Sequence, residues 1–483
     1  MRMFEGFADR LPPWAAAVSP ALGVLAVLAA GSAGYLAVTA TPPPEARTMW
    51  LFARDHELTY APIIAEWNRQ RDPDVRTVLL GTEALRPRML SGFLGNLPTA
   101  DLIEVERTLI PAVFAGPIET VGFRDLTERL RAEGLLEAIN EPSFSPWTRE
   151  GRIFGLPHDV HPVMLAYRAD LVEGAGIDVS EIETWDDFER VMAPLMADEN
   201  GDGLPDRRLI SFWPNHAFAD QIEVYVLQAG GRLFDEHGPS LSSDPVVEVV
   251  ARLARWSAGP ARLAEDVQEW NASGYQQRTQ GRVVAGLMPD WLCRTWKNDM
   301  PEMAGKVKLM PLPAWEPGGR RTSVWGGTML GIPKTAEGFD ELWAFALHLY
   351  TSADLAEELF LESDIVTPVK EHWDSPIYDR PDPYFSGQAK GRMYIELAGE
   401  VPMRDSHPLR RAGVEQLINA TLDVRNWIEA VGGASREEIR EQARRVLKEK
   451  DRLLARELER SVFLGGRSAA PDPADGAAPE EGA

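Results

Sequence analysis

Short apolar runs alternate with helical stretches over the first half of the chain. The runs 48–52, 74–80 and 100–105 each have the length of a buried strand. Apolar residues spaced as on one helix face follow the first run, from about residue 60 to residue 71, and another helix begins near Glu83. Strands that alternate with helices in this way predict a parallel α/β sheet.

A proline interrupts the apolar pattern near residue 157. A turn at Gly151 leads into a strand-like run that Pro157 breaks, and a second apolar run extends from Val163 to Tyr167. Proline removes a backbone donor and keeps the preceding residue extended, which suits a strand that leaves one sheet for another. The pattern therefore predicts that a second lobe opens with the strand containing Pro157.

The second half of the chain is richer in helical patterns. Thr184 can cap a helix, with Asp187 at the capping-box position. A strand is predicted at 328–332. Helices are predicted at 217–229, 244–258, 339–350 and 437–462. The tail from Arg467 is Ala, Pro, Gly and acid, a composition typical of disorder.

The amino terminus carries a targeting or membrane segment. Residues 14–41 contain no charge, and from Ala21 onward the apolar run is long enough for a bilayer, which needs roughly 20 residues. We expect an uncleaved anchor at residues 14–41, but Val38-Thr39-Ala40 also satisfies small-residue cleavage rules, so a cleaved signal stays open. Both interpretations place the globular part outside the cytoplasm.

Length, charge and cysteine content exclude several classes of protein. A chain of 483 residues is too long for one compact core, so two lobes are expected. The formal net charge of −24 argues against nucleic acid as a partner, because phosphate binding needs clustered Lys and Arg. The single cysteine, Cys293, excludes an intramolecular disulfide and a cysteine metal cluster.

Five segments in order resemble one known family, the sugar-binding, maltose-binding-protein-like branch of the bacterial extracellular solute-binding proteins of ABC importers. They are the Gly-x-Ile-Phe-Gly-Leu-Pro run at 151–157, the opening strand end and helix at 52–55 and 63–68, the Thr-Trp-Asp-Asp-Phe run at 184–188, the strand and turn at 280–291, and Gly326-Gly327 with Ile332-Pro333-Lys334.

The resemblance implies a two-lobed α/β fold of the class II periplasmic-binding type, with hinge crossovers between the lobes, preceded by one transmembrane or signal helix. The implied boundaries are 1–46 for the signal or anchor with its Pro-rich spacer, 47–156 and 319–365 for the first lobe, 157–318 and 366–465 for the second lobe, and 466–483 for a disordered tail. Hinges are expected near 156–157, 313–322 and 362–368.

Sugar recognition needs flat apolar faces for the C–H side of the ring and planar polar groups for the hydroxyls. In a two-lobed α/β protein, such groups belong at the strand ends that face the cleft. The candidates at such places are Asp55, His56, Glu104, Asp159, His161, Trp213, Phe218, Asp290, Trp291 and Trp325. The resemblance places Asp55, Glu104, His161, Trp291 and the Trp213/Phe218 region at ligand-contacting positions, with Trp291 as the main stacking platform.

Residues 198–206 resemble a calcium loop. Asp198, Asn200, Asp202 and Asp206 occupy four oxygen-donor positions, but Leu209 stands where a bidentate Glu is needed. Calcium binding and a plain Asp/Gly turn both stay open. Otherwise no cofactor is required.

The resulting functional hypothesis is a non-enzymatic binding protein. It would capture a sugar or oligosaccharide outside the cytoplasm and present it to the transmembrane subunits of an ABC permease, with the membrane contacted through the N-terminal helix. The alternatives are a membrane-tethered ligand sensor, a binder of polyols or sugar phosphates, and a glycosidase that uses Glu104 and Asp290 as its carboxylate pair.

Overall fold

The computed structural model describes residues 46–198, 200–216 and 220–461, together with residues 26, 28 and 29. The predicted membrane segment 14–41 lies almost entirely outside the described residues, and the predicted disordered tail 466–483 lies wholly outside them. Within the part that is described, no helix combines the length and apolar character that a membrane span requires.

Two five-stranded sheets organise the described residues. Their strands, in chain order, are β1 Arg47–Leu51, β2 Val75–Leu79, β3 Leu102–Glu106, β4 Leu156–Pro157, β5 Val163–Arg168, β6 Arg208–Ser211, β7 Ala264–Glu265, β8 Val283–Pro289, β9 Val307–Pro311 and β10 Thr328–Gly331. Two short hairpins, Thr148–Arg149 with Arg152–Ile153 and Phe234–Asp235 with Gly238–Pro239, lie apart from these sheets.

The first sheet has the order β2-β1-β3-β10-β4. Strands β1, β2 and β3 are parallel, as the alternation of strands and helices predicts. Strand β10 is inserted antiparallel between β3 and β4, with Leu330 opposite Glu104 on one side and Leu156 on the other. The chain therefore returns to the first lobe after it has built most of the second.

The second sheet has the order β7-β6-β8-β5-β9. Strand β8 runs parallel to β6 and antiparallel to β5, and β5 also pairs antiparallel with β9. All seven residues of β8 are buried, which explains its nearly continuous apolar run.

Helices of eight or more residues cover both sheets. In chain order they are α1 Arg54–Gln70, α2 Gly81–Gly95, α3 Trp185–Met192, α4 Asp220–Gln228, α5 Asp244–Ser257, α6 Ala272–Thr279, α7 Asp290–Asp299, α8 Phe339–Tyr350, α9 Ala353–Ser363, α10 Lys390–Ala398, α11 Arg410–Val431 and α12 Arg436–Arg460. The predicted capping box of Thr184 and Asp187 is confirmed at the start of α3. The predicted helices 244–258, 339–350 and 437–462 are confirmed as α5, α8 and α12, whereas no range was predicted for α11.

The chain passes between the lobes slightly later than the sequence indicates. Pro157 pairs with Met329 in the first sheet, and the second sheet begins at Val163, so the prediction that the Pro157 strand opens the second lobe is wrong. Strand β4 lies at the edge of its sheet, where a residue without an N–H is tolerated. The first crossing therefore comprises residues 158–162.

The second crossing between the lobes, like the first, lies later along the chain than the sequence indicates. The predicted hinge at 313–322 is wrong, because Leu312 and Arg321 remain hydrogen-bonded to each other within the second lobe. The chain instead returns to the first lobe between Trp325 and Thr328, through Gly326 and Gly327. The third crossing follows α9, where the Val366 N–H bonds to Asp290 of the second lobe.

Candidate functional site

A cavity of about 440 Å³ lies between the lobes, at the ends of β1, β3 and β8. The first lobe contributes the start of α1 and the residues after β3, and the second lobe contributes the start of α7 and the second crossing. The lining residues are Phe52, Ala53, Asp55, His56, Glu106, Thr108, His161, Asp220, Trp270, Trp291, Arg294, Thr295, Asn298, Trp325, Gly326, Gly327, Thr328, Ser363 and Ile365.

Three indoles form one wall of this cavity. The rings of Trp270 and Trp291 are parallel, with 6.0 Å between centroids and 5° between planes. Trp325 stands edge-on to Trp291 at 5.8 Å and 80°. Trp270 remains 54% exposed although it is large and apolar. The exposed ring of Trp270, beside the partly buried Trp291 and the buried Trp325, can serve as a platform for a flat apolar ligand surface.

Hydrogen bonds fix the orientation of Trp291. Its indole N–H donates to the Trp325 carbonyl oxygen at 2.8 Å, and its backbone N–H donates to Asp290 Oδ1 at 2.8 Å. Its ring also packs against the apolar cores of both lobes. Because the indole N–H already has a partner, Trp291 offers the cavity a ring surface and not a hydrogen-bond donor.

A buried network of histidines and carboxylates lies beneath the platform. His161 Nδ1 is 2.6 Å from Asp290 Oδ1, and its Nε2 is 3.0 Å from Asp159 Oδ2. His158 Nδ1 is 3.2 Å from the same Asp159 oxygen. The network therefore joins the first crossing to the start of α7, and its Asp290 also accepts the Val366 N–H of the third crossing at 2.8 Å.

Charge pairing sets the protonation states in this network. Burial lowers the pKa of His161, but the charges of Asp159 and Asp290 outweigh burial and raise that pKa to about 10. Burial raises the pKa of Asp159, yet the charge of His161 and the hydrogen bonds from His158 and His161 hold it well below its ordinary value. Burial lowers the pKa of His158. His161 is therefore an imidazolium between two carboxylates at neutral pH.

Glu104 does not line the cavity, contrary to the sequence-based expectation for a ligand contact. It is fully buried, and its carboxylate accepts hydrogen bonds from Tyr60 at 2.7 Å and Tyr350 at 2.9 Å, with His56 Nδ1 at 2.8 Å. The charge and hydrogen bond of His56 lower the pKa of Glu104 even though burial raises it. Glu104 is a structural anion that holds α1 and α8 on the sheet.

The other predicted residues divide between the cavity and its surroundings. Asp55, His56, His161, Trp291 and Trp325 line the cavity. Asp159 and Asp290 lie behind it in the buried network, so the proposed glycosidase pair of Glu104 and Asp290 has no access to a ligand. Trp213 lies away from the cavity, with Arg262 and Arg425 at 5.5 and 5.0 Å from its ring. Phe218 lies outside the described residues.

Asn298, Ser363 and Trp270 line the cavity but were not identified from the sequence, whereas Asp55 was. Asp55 and Asn298 are exposed to it, with no side-chain hydrogen bond or ion pair among the described residues. The Ser363 side chain faces the cavity, and its Oγ is buried without a hydrogen-bond partner in the described part of the chain. Unsatisfied polar atoms are costly unless solvent or a ligand bonds to them. Asn298 and Ser363 carry no local sequence signal, but Trp270 lies in an irregular polar stretch, which is unusual for a core indole.

The cavity continues into an outer groove of about 760 Å³. Both spaces share Thr108, Asp220, Trp270 and Trp325 as lining residues. The outer groove is more charged, with Arg86 and Glu83 on its first-lobe wall and Arg411 and Glu415 on its second-lobe wall. Trp270 therefore stands at the junction of an inner aromatic chamber and an outer polar one.

The polar side chains of the predicted calcium loop hydrogen-bond to other groups of the same loop. Asp198 accepts the N–H groups of Gly201, Asp202 and Gly203, and Asn200 donates to Asp206 at 2.7 Å. Across the described residues, no group of three or more His, Cys, Asp or Glu side chains is arranged to hold a metal ion. Glu199 lies outside the described residues. The geometry is that of an Asp/Gly turn between α3 and β6.

Comparison with known proteins gives a consistent assignment. The sequence model of the family described as bacterial extracellular solute-binding protein matches residues 54–354. An arabinooligosaccharide-binding protein of Halalkalibacterium halodurans is 24% identical over 371 residues, which cover 73% of this chain and 78% of the relative. A lactose-binding protein of Rhizobium radiobacter is 24% identical over 66% of this chain and 72% of the relative.

Solved structures share the fold. The sugar-binding protein MalE of Xanthomonas citri superposes with a TM-score of 0.68 at 18% identity, over 85% of this chain and 98% of that protein. The cyclic alpha-maltosyl-1,6-maltose-binding protein of Arthrobacter globiformis gives a TM-score of 0.64 at 15% identity, over 84% and 99% of the two chains.

Proposed function

We propose that this chain, which belongs to the family of bacterial extracellular solute-binding proteins, captures a carbohydrate between its lobes and delivers it to an ABC permease. The observation that supports this most directly is the indole platform of Trp270, Trp291 and Trp325 beside polar groups that have no partner in the described protein. The family implies an extracytoplasmic location, and we propose residues 14–41 as the segment that contacts the membrane.

The cavity has the two surfaces that a sugar ring requires. The C–H face of a pyranose or furanose is apolar and flat enough to lie on an indole, and its rim carries hydroxyls that both donate and accept. Asp55 supplies acceptors, Asn298 supplies both functions, and the Ser363 hydroxyl can do either. Stacking on Trp291 with hydroxyls directed at these groups would satisfy the polar atoms that the described protein leaves open.

The charge of the inner chamber favours a neutral sugar over a sugar phosphate. Arg294 is the guanidinium that lines this chamber in the described part of the chain, and it lies 3.5 Å from Glu362. Asp55 and Asp220 place negative charge on the same cavity. A phosphate would therefore meet carboxylates and two cations that already have partners, Arg294 with Glu362 and the His161 imidazolium with Asp159 and Asp290. This arrangement is opposite to that of phosphate sites.

The groove also favours a chain of sugars over a single unit. The inner chamber of about 440 Å³ opens at Trp270 into the outer groove of about 760 Å³. The names of the arabinooligosaccharide- and lactose-binding relatives support the same proposal. Binding would proceed by closure of the lobes about the three crossings, because a ligand that contacts both lobes favours the closed state.

A calorimetric screen of residues 46–483 against mono-, di- and oligosaccharides, polyols and sugar phosphates tests the proposal. We expect a neutral oligosaccharide to bind and to raise the midpoint of thermal unfolding, since a ligand that binds only the folded state stabilises it by mass action. Binding of a sugar phosphate or polyol in preference to every neutral saccharide would contradict the assignment.

A further inference from the structure

Four charged side chains form a cluster that spans the lobes beneath the groove. Arg107 directly follows β3 of the first lobe, whereas Asp220, Glu223 and Arg410 belong to α4 and α11 of the second lobe. Arg107 Nη1 is 2.8 Å from Glu223 Oε2, and Arg107 Nη2 is 3.4 Å from Asp220 Oδ2. The side chains of Arg107 and Glu223 are each only 4% exposed. A buried ion pair therefore connects the two lobes.

The second-lobe members of this cluster have partners of their own. Arg410 Nε donates to Glu223 Oε1 at 2.8 Å, and Arg410 Nη2 donates to Asp220 Oδ1 at 2.8 Å. Burial raises the pKa of both carboxyls, but the charges of Arg410 and Arg107 outweigh it, so the pKa of Glu223 is lowered and that of Asp220 falls to about 2. Both are ionised at neutral pH, and separation of the lobes would remove only Arg107 from them.

Loss of the Arg107 side chain should raise the free energy of the closed state more than that of the open state. In the closed form, loss of Arg107 would leave the buried Glu223 and the partly buried Asp220 paired with Arg410 alone at ion-pair distance, with the charge of Arg404 farther away. In an open form, water reaches the same carboxylates, so the loss would cost little. Removing one partner of a buried pair is strongly unfavourable because the remaining charge stays desolvated. A substitution at Arg107 should thus disfavour the closed form selectively.

We propose that Arg107 is a positioning residue that pairs with Glu223 to hold a fraction of the molecules closed before ligand arrives. Arg107 lines neither the inner chamber nor the outer groove, so it acts on ligand affinity through the lobe angle. The effect on sugar affinity rests on the proposed function, whereas closure can be measured without any ligand. Apparent affinity falls in proportion to the fraction of binding-competent molecules.

Spin labels on the two walls of the outer groove measure closure directly. Arg86→Cys on α2 and Glu415→Cys on α11 place one label on each lobe, and the native Cys293 is buried. In ligand-free protein we expect a short inter-label distance population that largely disappears in Arg107→Met. The matched control is Arg129→Met, which removes an arginine paired with Glu133 and Asp340 on the first-lobe surface and should leave the distances unchanged.

Two results would overturn the proposal. One is a wholly open ligand-free protein, and the other is an Arg107→Met distance distribution identical to that of the unsubstituted protein. If Arg107→Met folds poorly, Arg107→Lys serves instead, because it keeps the charge but loses the two-point contact, and it should give an intermediate closed population.

Calorimetry with the sugar found in the screen supplies the second readout. Arg107→Met should weaken sugar binding by about 10-fold. If the residues act as a pair, the double variant Arg107→Met/Glu223→Gln should lose much less binding free energy than the sum of the losses in the two single variants. Additive effects would contradict the pairing. If no sugar binds any variant, the carbohydrate assignment fails, and the label distances alone still decide the role of Arg107.

Discussion

The indole N–H of Trp291 donates a 2.8 Å hydrogen bond to the carbonyl oxygen of Trp325. The bond joins the start of α7 to the second crossing between the lobes and holds the two rings edge to face. It also leaves the face of Trp291 directed at the cavity and at Trp270. The candidate binding surface is therefore held in place by hydrogen bonds within the protein itself.

Replacing Trp291 should remove most of the ligand affinity. We expect Trp291→Ala to weaken saccharide binding by about 2 kcal/mol or more, roughly 30-fold, because buried aromatic anchors dominate binding energies. Titration calorimetry measures this change. Trp213→Ala is the matched control, since that indole lies outside the cavity under Arg262 and Arg425. Equal losses in both variants would show that the Trp291 effect is not local.

Replacing Glu104 should affect folding rather than binding. Glu104→Gln removes the charge beside His56 and one acceptor from the bonds with Tyr60 and Tyr350, so we expect the free energy of unfolding to fall by about 3 kcal/mol. Urea unfolding gives this value. Glu66→Gln, in an exposed pair with Arg69, should change stability by less than about 0.5 kcal/mol. A Glu104→Gln protein of normal stability but without ligand binding would place Glu104 in the site after all.

Stability should decrease in alkaline solution because of His161. Its pKa is raised from the ordinary 6.5 to about 10 in the folded state, so the folded protein binds the proton more tightly than the unfolded chain does. The resulting stabilisation is complete below pH ~6.5 and is lost between pH ~6.5 and ~10, by at most about 1.4 kcal/mol per pH unit. Denaturant unfolding across this range should show the decline.

His161→Gln provides the comparison for the pH experiment. The variant lacks the titrating imidazole, so the slope of stability against pH between neutral and alkaline values should flatten. His56 also has a raised pKa, next to Glu104, and should leave a slope of the same sign in the variant. An unchanged slope in His161→Gln would mean that other groups carry the alkaline instability.

Adding a single methyl group at Gly326 should damage the site. Its φ is +113°, and a Cβ there would lie 2.6 Å from His161 Cδ2 and 3.0 Å from Trp291 Nε1. We expect Gly326→Ala to weaken ligand binding and to lower stability by about 2–4 kcal/mol, through backbone strain and overpacking together. Gly318→Ala is matched in its positive φ of +72° but has open space around it, so it should cost only the strain. Similar losses at both positions would exclude the packing explanation.

Calcium should not stabilise the protein through the loop at 198–206. Asp198 already accepts three backbone N–H groups, so binding a cation would require those bonds to be given up. Thermal unfolding with millimolar calcium and then with excess chelator should give the same midpoint. A calcium-dependent rise that Asp198→Asn abolishes would establish a site.

The order of strands and helices was predictable from the sequence because each signal is local. Apolar runs such as 48–52 and a capping residue such as Thr184 determine structure within a few residues, and both are found where predicted. The lobe boundaries were less accurate. Whether Pro157 ends one sheet or starts another depends on its pairing with Met329, a residue far along the chain.

The candidate site was predictable only in part, for a related reason. Asp55, His161 and Trp291 follow strand ends and do line the cavity. Glu104 also lies near a strand end, but it meets the side chains of His56, Tyr60 and Tyr350, and their convergence depends on tertiary packing. The pairing of Arg107 was not predicted, because its partner Glu223 lies in the other lobe.

The carboxylate of Asp290 receives the N–H of Trp291, the N–H of Val366 and the imidazolium of His161. The two oxygen atoms of this carboxylate thus bond to the aromatic platform and to two of the three crossings, the linkers between the lobes. A tilt of the platform should displace both linkers, and a rotation of the lobes should displace the platform. Ligand binding in the cleft and the angle between the lobes should then change together. A permease could therefore detect the ligand-bound state from the outer shape of the molecule alone.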